Sequence, residues 1–315
     1  MTKKLSIPSA LALALALSGC HHDDPAPARP SALVLTASVY DIATEESSVW
    51  HSGQPFGVYM TDSENTPVAT NSRHLADNRG VTGYLVPEGT PLYLPADGSQ
   101  VRVAAYHPYD EHAAANGHRT TIAIRGSMPP DACLWAEAKN ISKSSPRATL
   151  GFKSQLAQIR ARILNDDPAT ARIVARIEGA PGKCEFDILE GRYTGTPDCS
   201  SPIGITVKVS EGAFELDVVV AATESAEGGP GIVVTALDKS GREIRTYPKV
   251  AVGEMLGLEN GRTFQPNTVY SLAGTIDSDN LYLQFTGSSP ICILTWETDP
   301  DEEFGTIIKN SNTNQ

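Results

Sequence analysis

Apolar and polar residues alternate with a period of two along much of this 315-residue chain, and this feature constrains its fold most. Successive side chains of a β-strand point to opposite faces, so such a run buries one face and leaves the other in water. The alternating segments are short, and they are residues 31–42, 56–60, 101–105, 159–163, 173–177, 203–209, 214–220, 232–236, 270–276, 281–285 and 291–296. The pattern predicts an all-β fold built of antiparallel β-sandwiches.

The length is enough for about two domains of roughly 150 residues each. The most polar interior break is Asn140–Thr149, and we place the domain boundary there. We therefore expect an N-terminal β-sandwich domain at 31–147, a C-terminal β-sandwich domain at 148–296 and a polar C-terminal tail at 297–315. Residues 130–141 are the one stretch in which a turn or two of helix is an alternative, with Asp131 as its cap.

The first nineteen residues have the layout of a secretory signal peptide. Lys3 and Lys4 precede a Leu/Ala run that is too short for a membrane span, and small residues follow it. Residues 17–20, Leu-Ser-Gly-Cys, resemble the lipobox of bacterial lipoproteins. That resemblance implies cleavage before Cys20 and lipidation of its thiol. The alternative is an ordinary secretory signal that places a cysteine at its cleavage point.

The net charge of −12 excludes a nucleic-acid protein that works through a basic surface. Cleavage before Cys20 would reduce the 25 basic residues to 23 against the same 37 acidic ones, a net charge of −14. Such a surface is poorly suited to anionic lipid, so membrane attachment has to come from acyl chains at Cys20.

Residues 20–30 contain His-His-Asp-Asp followed by three prolines, which predicts a disordered tether. A weak transition-metal site in these four side chains is the alternative. Acidic residues just behind a lipidated cysteine also resemble the surface-export signal of some Gram-negative lipoproteins, which would place the body of the protein outside the cell.

Sequence motifs for catalysis or cofactor binding are scarce. The chain has no G-x-S-x-G, H-E-x-x-H, P-loop or C-x-x-C motif, so we expect no catalytic residue, no cofactor and no metal site. Residues 107–112 hold His107, Asp110, Glu111 and His112, whose spacing is more typical of a solvated turn than of a metal site. Three tyrosines form either an aromatic platform for carbohydrate or the edge of a core, and they are Tyr93, Tyr106 and Tyr109.

Four cysteines follow Cys20, namely Cys133, Cys184, Cys199 and Cys292. Cys184 and Cys199 lie symmetrically about Gly191-Arg192, a plausible two-residue hairpin turn that would bring the two thiols opposite each other. A disulfide between them is one interpretation, and free buried thiols are the other.

Six short motifs, in order, resemble those of the fimbrillin or Mfa-like pilins of type V pili. They are residues 50–60 (WHSGQPFGVYM), 101–109 (VRVAAYHPY), 131–136 (DACLWA), 152–157 (FKSQLA), 264–270 (FQPNTVY) and 293–296 (ILTW). The chain departs from the family pattern at Gln54, Ser154 and Asn267, where the family has Asp, often His, and Gly.

The resemblance implies two transthyretin-like β-sandwich domains and an outer-membrane lipoprotein precursor that joins other pilin subunits by donor-strand exchange. Segment 31–42 would be the first strand, which stalk subunits lose by cleavage after Arg or Lys. Arg73 and Arg79, the first basic residues after Arg29, lie in a polar stretch that reads as a loop, so we expect the strand to stay attached, as in an accessory or terminal subunit. A surface glycan-binding lipoprotein is the second hypothesis, and an enzyme the third.

Overall fold

The structure, a computed structural model, describes residues 30–41, 46–48, 52–79, 82–126, 128–129, 132–258 and 260–291. These ranges contain twenty β-strands and no α-helix, which confirms the all-β prediction. No helix in them is long and apolar enough to cross a membrane.

Most of the first half of the chain forms one sheet of eight strands, in the order β2-β1-β5-β4-β3-β6-β8-β9. Strand β1 also pairs with β9, so seven of the strands form a closed ring around a hydrophobic core. The strands are β1 (Val34–Asp41), β2 (Glu46–Ser48), β3 (Pro55–Thr61), β4 (Pro67–Arg79), β5 (Thr82–Pro87), β6 (Val101–His107), β8 (Leu134–Ile141) and β9 (Arg147–Ser154).

The second half forms two sheets that pack around a larger core. The first has the order β15-β10-β19-β20, and the second has the order β14-β11-β16-β17 with β18 also on β16. Their strands are β10 (Leu156–Asn165), β11 (Arg172–Glu178), β14 (Ile203–Lys208), β15 (Ala213–Ala221), β16 (Gly231–Leu237), β17 (Glu243–Thr246), β18 (Val250–Ala251), β19 (Thr268–Ile276) and β20 (Leu281–Pro290).

A third sheet of three strands joins the two halves of the chain. Strand β7 (Arg119–Ala123) comes from the first half, and β12 (Lys183–Asp187) and β13 (Arg192–Asp198) come from the second; their order is β13-β12-β7. A single residue, Gln155, separates β9 from β10, so the chain passes from one half to the other without a linker.

Period-two burial is regular in β11, which the alternation predicted, and in β9, which it did not. In β9 every second side chain is buried along all eight residues, and β11 repeats this pattern with Ile173, Ala175 and Ile177 inside. Full burial of an aliphatic side chain of this size stabilises the fold by about 1.5 to 3 kcal/mol. The alternation thus provides much of the free energy that holds the sheets together.

The helical alternative at 130–141 is wrong where the structure describes it. Residues 134–141 form β8, because they pair with β6 on one side and β9 on the other. The polar break at Asn140–Thr149 contains a tight turn between β8 and β9, with a backbone hydrogen bond of 2.9 Å from Ser145 N to Ser142 O. Strand β9 then continues the first sheet as far as Ser154.

Candidate functional site

Strand β1 lies between β5 and β9 and connects them. It pairs antiparallel with β5, where Leu35 faces Leu85, and parallel with β9 from Val34 opposite Arg147 to Val39 opposite Phe152. Strands β5 and β9 do not pair with each other in the described part of the chain. Strand β1 therefore fills a groove with two hydrogen-bonding edges.

The floor of this groove is apolar. Leu35 is 2% exposed and Ala37 is 3% exposed, and both belong to the core cluster of the first half together with Leu85, Leu150 and Phe152. The side chains between them, Val34, Thr36 and Ser38, are only partly buried. The strand thus inserts one apolar side chain in every two residues. Ala37, a small residue, lies opposite Gly83 in the neighbouring strand.

Residues before β1 extend its attachment. The amide of Leu33 donates to Leu92 O at 2.8 Å, and the amide of Leu94 donates back to Ser31 O at 2.9 Å. The amide of Val34 donates to Pro146 O at 2.8 Å, and the Thr36 hydroxyl lies 3.3 Å from Ala148 O. Main-chain bonds therefore hold the segment from Ser31 onward, and most of them do not depend on side-chain identity.

The sequence suggested that the nearest basic residues after β1 lie in a loop, but the structure places them in a strand. Arg73 lies within β4, where it forms an ion pair with Glu88 and sits 5.6 Å above the centre of the Tyr109 ring. Arg79 is the last residue of the same strand. Because β4 pairs with β3 and β5, cleavage at Arg73 would cut an interior strand of the sheet.

The three tyrosines do not form one surface platform. Tyr106 is 2% exposed, and its hydroxyl donates to Asn71 Oδ1 at 2.8 Å and accepts from the Asp110 amide at 3.1 Å. Burial raises the pKa of this hydroxyl. Tyr109 lies against Arg73, and Tyr93 is exposed and forms a bridge with Ala32. Tyr106 therefore belongs to the core edge.

The polar residues at 107–112 form a turn. Nδ1 of His107 lies 2.8 Å from Pro55 O, and the Asp110 carboxylate accepts from the His112 amide and the Thr120 hydroxyl at 2.9 Å each. Glu111 and His112 are exposed. Among the described residues, no group of three or more His, Cys, Asp or Glu side chains is arranged to hold a metal.

Cys133, Cys184 and Cys199 are free thiols in the structure, whereas Cys20 and Cys292 lie outside the described residues. Burial raises the pKa of Cys184 to about 12 and that of Cys133 further, so neither is a good nucleophile at neutral pH.

The hairpin that suggested a disulfide between Cys184 and Cys199 has a different register from the one predicted. Asp187 pairs with Arg192 around a four-residue loop, and a bulge follows before Lys183 pairs with Asp198. The two cysteines therefore do not lie symmetrically about the turn, which was the reason for expecting a disulfide. The disulfide stays a prediction, which titration of the free thiols tests.

Trp135 connects the two halves of the chain, a role that nothing in the sequence indicates beyond its place in a motif. Its indole Nε1 donates to Ile188 O at 2.7 Å, in the β12–β13 loop. A Cβ at Gly191 would lie 2.5 Å from the indole ring, so the ring packs directly on that glycine. The Arg102 guanidinium donates to Leu189 O in the same loop and to Glu137 at 2.8 Å.

Several residues of the family motifs are buried or hydrogen-bonded. Phe56, Phe152 and Phe264 are fully buried, and the hydroxyl of Tyr270 accepts from the Gln265 amide at 3.1 Å. Trp50 and Trp296 lie outside the described residues. The described part of the chain is thus an all-β protein with a strand-filled groove in the first half.

Comparison with known proteins assigns this arrangement to a class. The profile of the fimbrillin-like family matches residues 43–289, which is most of the chain. A protein of Bacteroides uniformis assigned as fimbrium subunit Fim1C is 26% identical over 172 residues, covering 52% of this chain and 56% of the relative. The match thus spans little more than half of that relative.

Solved structures show the same fold. A protein from Bacteroides uniformis assigned to cell adhesion superimposes with a TM-score of 0.60 at 19% identity, covering 82% of this chain and 98% of its own. Another from Bacteroides ovatus, also assigned to cell adhesion, gives a TM-score of 0.60 at 14% identity, covering 84% of this chain and 99% of its own.

These findings define a fimbrial, cell-adhesion type of protein. The chain belongs to the fimbrillin-like family, which confirms the resemblance seen in its motifs. Membership in this family implies a location at the cell surface or in a fimbrium.

Proposed function

We propose that this protein is a surface-anchored pilus subunit or pilus-like adhesin that assembles with other pilin subunits by donor-strand exchange. The observation that supports this most is that, among the described strands, β1 is the one that pairs with both β5 and β9. Loss of β1 would expose two unpaired edges and an apolar floor, and an extended segment of another subunit can repair both by adding a strand. The role is structural, with no catalytic residue.

The groove sets requirements for any donor strand. It has to place a large apolar side chain where Leu35 lies and a small one two residues later, where Ala37 faces Gly83. A shift by one residue would turn polar side chains into the core, so the register is strongly specified.

A release experiment tests strand exchange directly. A site for a sequence-specific protease, placed at 42–45, would allow β1 to be cut from the body after purification. We expect the cut protein to form oligomers that persist in detergent, and added peptide 31–42 to suppress them. The same site placed in the exposed turn at 63–66 is the control, because cutting there leaves β1 attached to β2. Equal behaviour of both cut proteins would contradict donor-strand exchange.

In its native form we propose that the chain keeps β1, as an accessory or terminal subunit does. No Lys or Arg lies between Arg29 and Arg73, and Arg73 is inside an interior strand. Proteolysis by trypsin-like enzymes therefore has no accessible point just after β1. N-terminal sequencing of the surface-exposed protein checks this, and a mature start between Ala43 and Ser72 would move the chain to the stalk class.

We further propose an outer-membrane anchor at Cys20, which lies outside the described residues. A surface with an excess of acidic residues gives the body little affinity for anionic lipid, so the acyl chains have to supply attachment. Cys20→Ala should abolish incorporation of labelled palmitate and release the protein from the membrane fraction. Continued labelling of this variant would overturn the lipobox interpretation.

The glycan-binding alternative receives no support from the tyrosines, since Tyr106 is buried.

We also propose that the two halves correspond to two sandwich domains divided near Gln155 instead of at 147, because β9 belongs to the first sheet.

A further inference from the structure

Strand β20 is an outer strand whose second edge has no partner in the described part of the chain. It pairs with β19 along its inner edge, and it ends the sheet order β15-β10-β19-β20. Such an edge offers a row of unpaired N–H and C=O groups to another strand.

Soluble proteins usually protect such edges with charged residues, proline or bulges. The other described edge strands of more than two residues follow this rule, with Glu46 in β2, Arg119 in β7, Arg192 in β13, Lys208 in β14, Glu215 in β15 and Glu243 in β17. None of the ten residues of β20 is charged. This edge therefore lacks the charged residues that protect the others.

A bulge limits the open part of β20 to its first five residues. Ser271 pairs with Gly287 and Leu272 with Phe285, so Thr286 has no opposite residue, and Pro290 ends the strand. Bulges increase strand twist and disrupt further pairing. The free, regular edge is thus Leu281–Phe285, with sequence LYLQF.

The core-facing side of this edge is incompletely covered. Leu281, Leu283 and Phe285 face inward beside Ile276, Gly274 and Leu272. Phe285 is nevertheless 36% exposed, although its neighbour Leu272 is buried. On the other face Tyr282 is 60% exposed.

A short strand, β17, contacts the turn that leads into β20. It has four residues; Arg245 Nη1 donates to Asp279 Oδ1 at 2.9 Å, and the nearby Tyr247 hydroxyl donates to Asp277 O at 2.7 Å. Leu281 and Leu283 of β20 pack against the core but stay only partly buried.

We propose that the free edge of β20 pairs antiparallel with the same edge of a second copy of this chain, about a two-fold axis at Leu283. This register places Leu281 opposite Phe285 of the second copy, and Tyr282 opposite Gln284. Inward-facing apolar residues then meet each other, and outward-facing residues meet each other, so the interface is self-complementary. It lies in the second half of the chain, away from the β1 groove, and does not depend on strand exchange.

Charge favours a second copy over the chain's own tail. A hairpin directly after Pro290 would return the uncharged residues 292–296 along Thr286–Pro290, and it would bring residues 297–303 opposite Leu281–Phe285. Residues 297–303, ETDPDEE, contain five acidic residues and a proline, which make a poor ladder partner. A second β20 brings an uncharged strand to an uncharged strand.

A pair of five-residue strands buries much less than the roughly 1,200 Å² of a stable interface, so we expect a weak dimer that strengthens with protein concentration and with salt.

Disulfide trapping tests the register. Tyr282→Cys combined with Gln284→Cys, in the mature chain that also carries Cys20→Ala and Cys292→Ser, should form a covalent dimer under mild oxidation. Thr206→Cys with Lys208→Cys, on the exposed positions of edge strand β14, is the matched control and should stay monomeric. Equal cross-linking of the two pairs, or none in the β20 pair, would overturn the proposal.

Analytical ultracentrifugation of the chain without the introduced cysteine pairs gives a second readout. We expect the dimer fraction to rise with protein concentration, and Tyr282→Lys with Gln284→Lys to remove it without lowering the unfolding temperature. Amides of Leu281–Phe285 should exchange with solvent fast in dilute solution and slowly in concentrated solution. Slow exchange at every concentration would mean that the chain's own tail covers this edge, which would also overturn the proposal.

Discussion

Close packing at single glycines fixes how tightly neighbouring strands meet. In β3, a Cβ on Gly57 would lie 2.0 Å from Cε1 of Tyr106 and 2.7 Å from Oδ1 of Asn71. The Tyr106 ring therefore covers this glycine, and its hydroxyl holds the loop that contains Asp110. The glycine at this motif position is thus explained by Tyr106, which lies directly opposite it in the neighbouring strand β6.

Gly57→Ala should reduce the free energy of unfolding by about 1 to 3 kcal/mol, because the added methyl has no space in a packed core. Gly151→Ala is the control, since nothing lies within 4 Å of its Cβ position in β9. Urea unfolding of both variants measures the difference. A Gly57→Ala variant as stable as Gly151→Ala would show that the Tyr106 ring can move aside.

Buried His74 predicts a pH dependence. Burial lowers the pKa of its imidazole below the usual 6.5, against a weaker opposing effect of the Ser72 carbonyl. The unfolded state then binds more protons than the folded state between the lowered pKa and 6.5, so stability falls as pH drops below about 6.5. His74→Gln should lose less stability between pH 7.5 and 5.5 than the parent, whereas exposed His112→Gln should match the parent. If the free energy of unfolding changes equally with pH in all three proteins, His74 is not the cause of the pH dependence.

At the scale of strands, β1 is held on both edges, by β5 in an antiparallel ladder and by β9 in a parallel one. Its hold combines main-chain bonds on both edges with the burial of Leu35 and Ala37. Main-chain pairing gives attachment to any strand, whereas the two buried side chains select the register.

Leu35→Ala should cost about 2 to 5 kcal/mol of unfolding free energy, as deletion of a buried leucine does in a close-packed core. Val68→Ala, at an exposed site in β4, should cost well under 1 kcal/mol. Chemical denaturation compares the two. A small effect at Leu35 would mean that the groove is loosely packed and that donor side chains contribute little selectivity.

The alternation predicted β3, β6, β10, β11 and β15 because each has an apolar residue at every second position, and these residues are buried in all five. The pattern does not indicate β4, since its buried positions include the polar residues Asn71 and His74. The hairpin between β12 and β13 differs from the expected one because its loop has four residues instead of two and a bulge shifts the pairing further on.

The candidate site was predictable only in part. Segment 31–42 was identified as the first strand, but its insertion between β5 and β9 is a contact between residues more than a hundred positions apart. No local pattern encodes such pairing. The contacts of Trp135 with the β12–β13 loop are equally non-local.

At the scale of the whole molecule, the two halves are tied at several points. Strand β7 pairs with β12, the Gln155 amide donates to Cys133 O at 2.8 Å, and Trp135 packs on Gly191. We expect the halves to unfold together in one transition.

Gly191→Ala should weaken this coupling and separate the transition into two. Gly191 has a φ of 64° and Gly212 a φ of 75°, so alanine is strained at both, but only Gly191 lies against Trp135. Calorimetry of the two variants therefore isolates the contact from the backbone strain. A single transition in both variants would show that β7 and β12 are sufficient to couple the halves.

The parallel pairing of β1 with β9 has a mechanical consequence. Strand β9 runs parallel to β1 and ends at Ser154, so opposite pulls on residue 30 and on residue 155 would slide β1 along β9. All bonds of that ladder would then bear load together instead of opening one after another from an end. A chain held at residue 30 and pulled from the end of β9 would yield only at a force that shears the whole ladder.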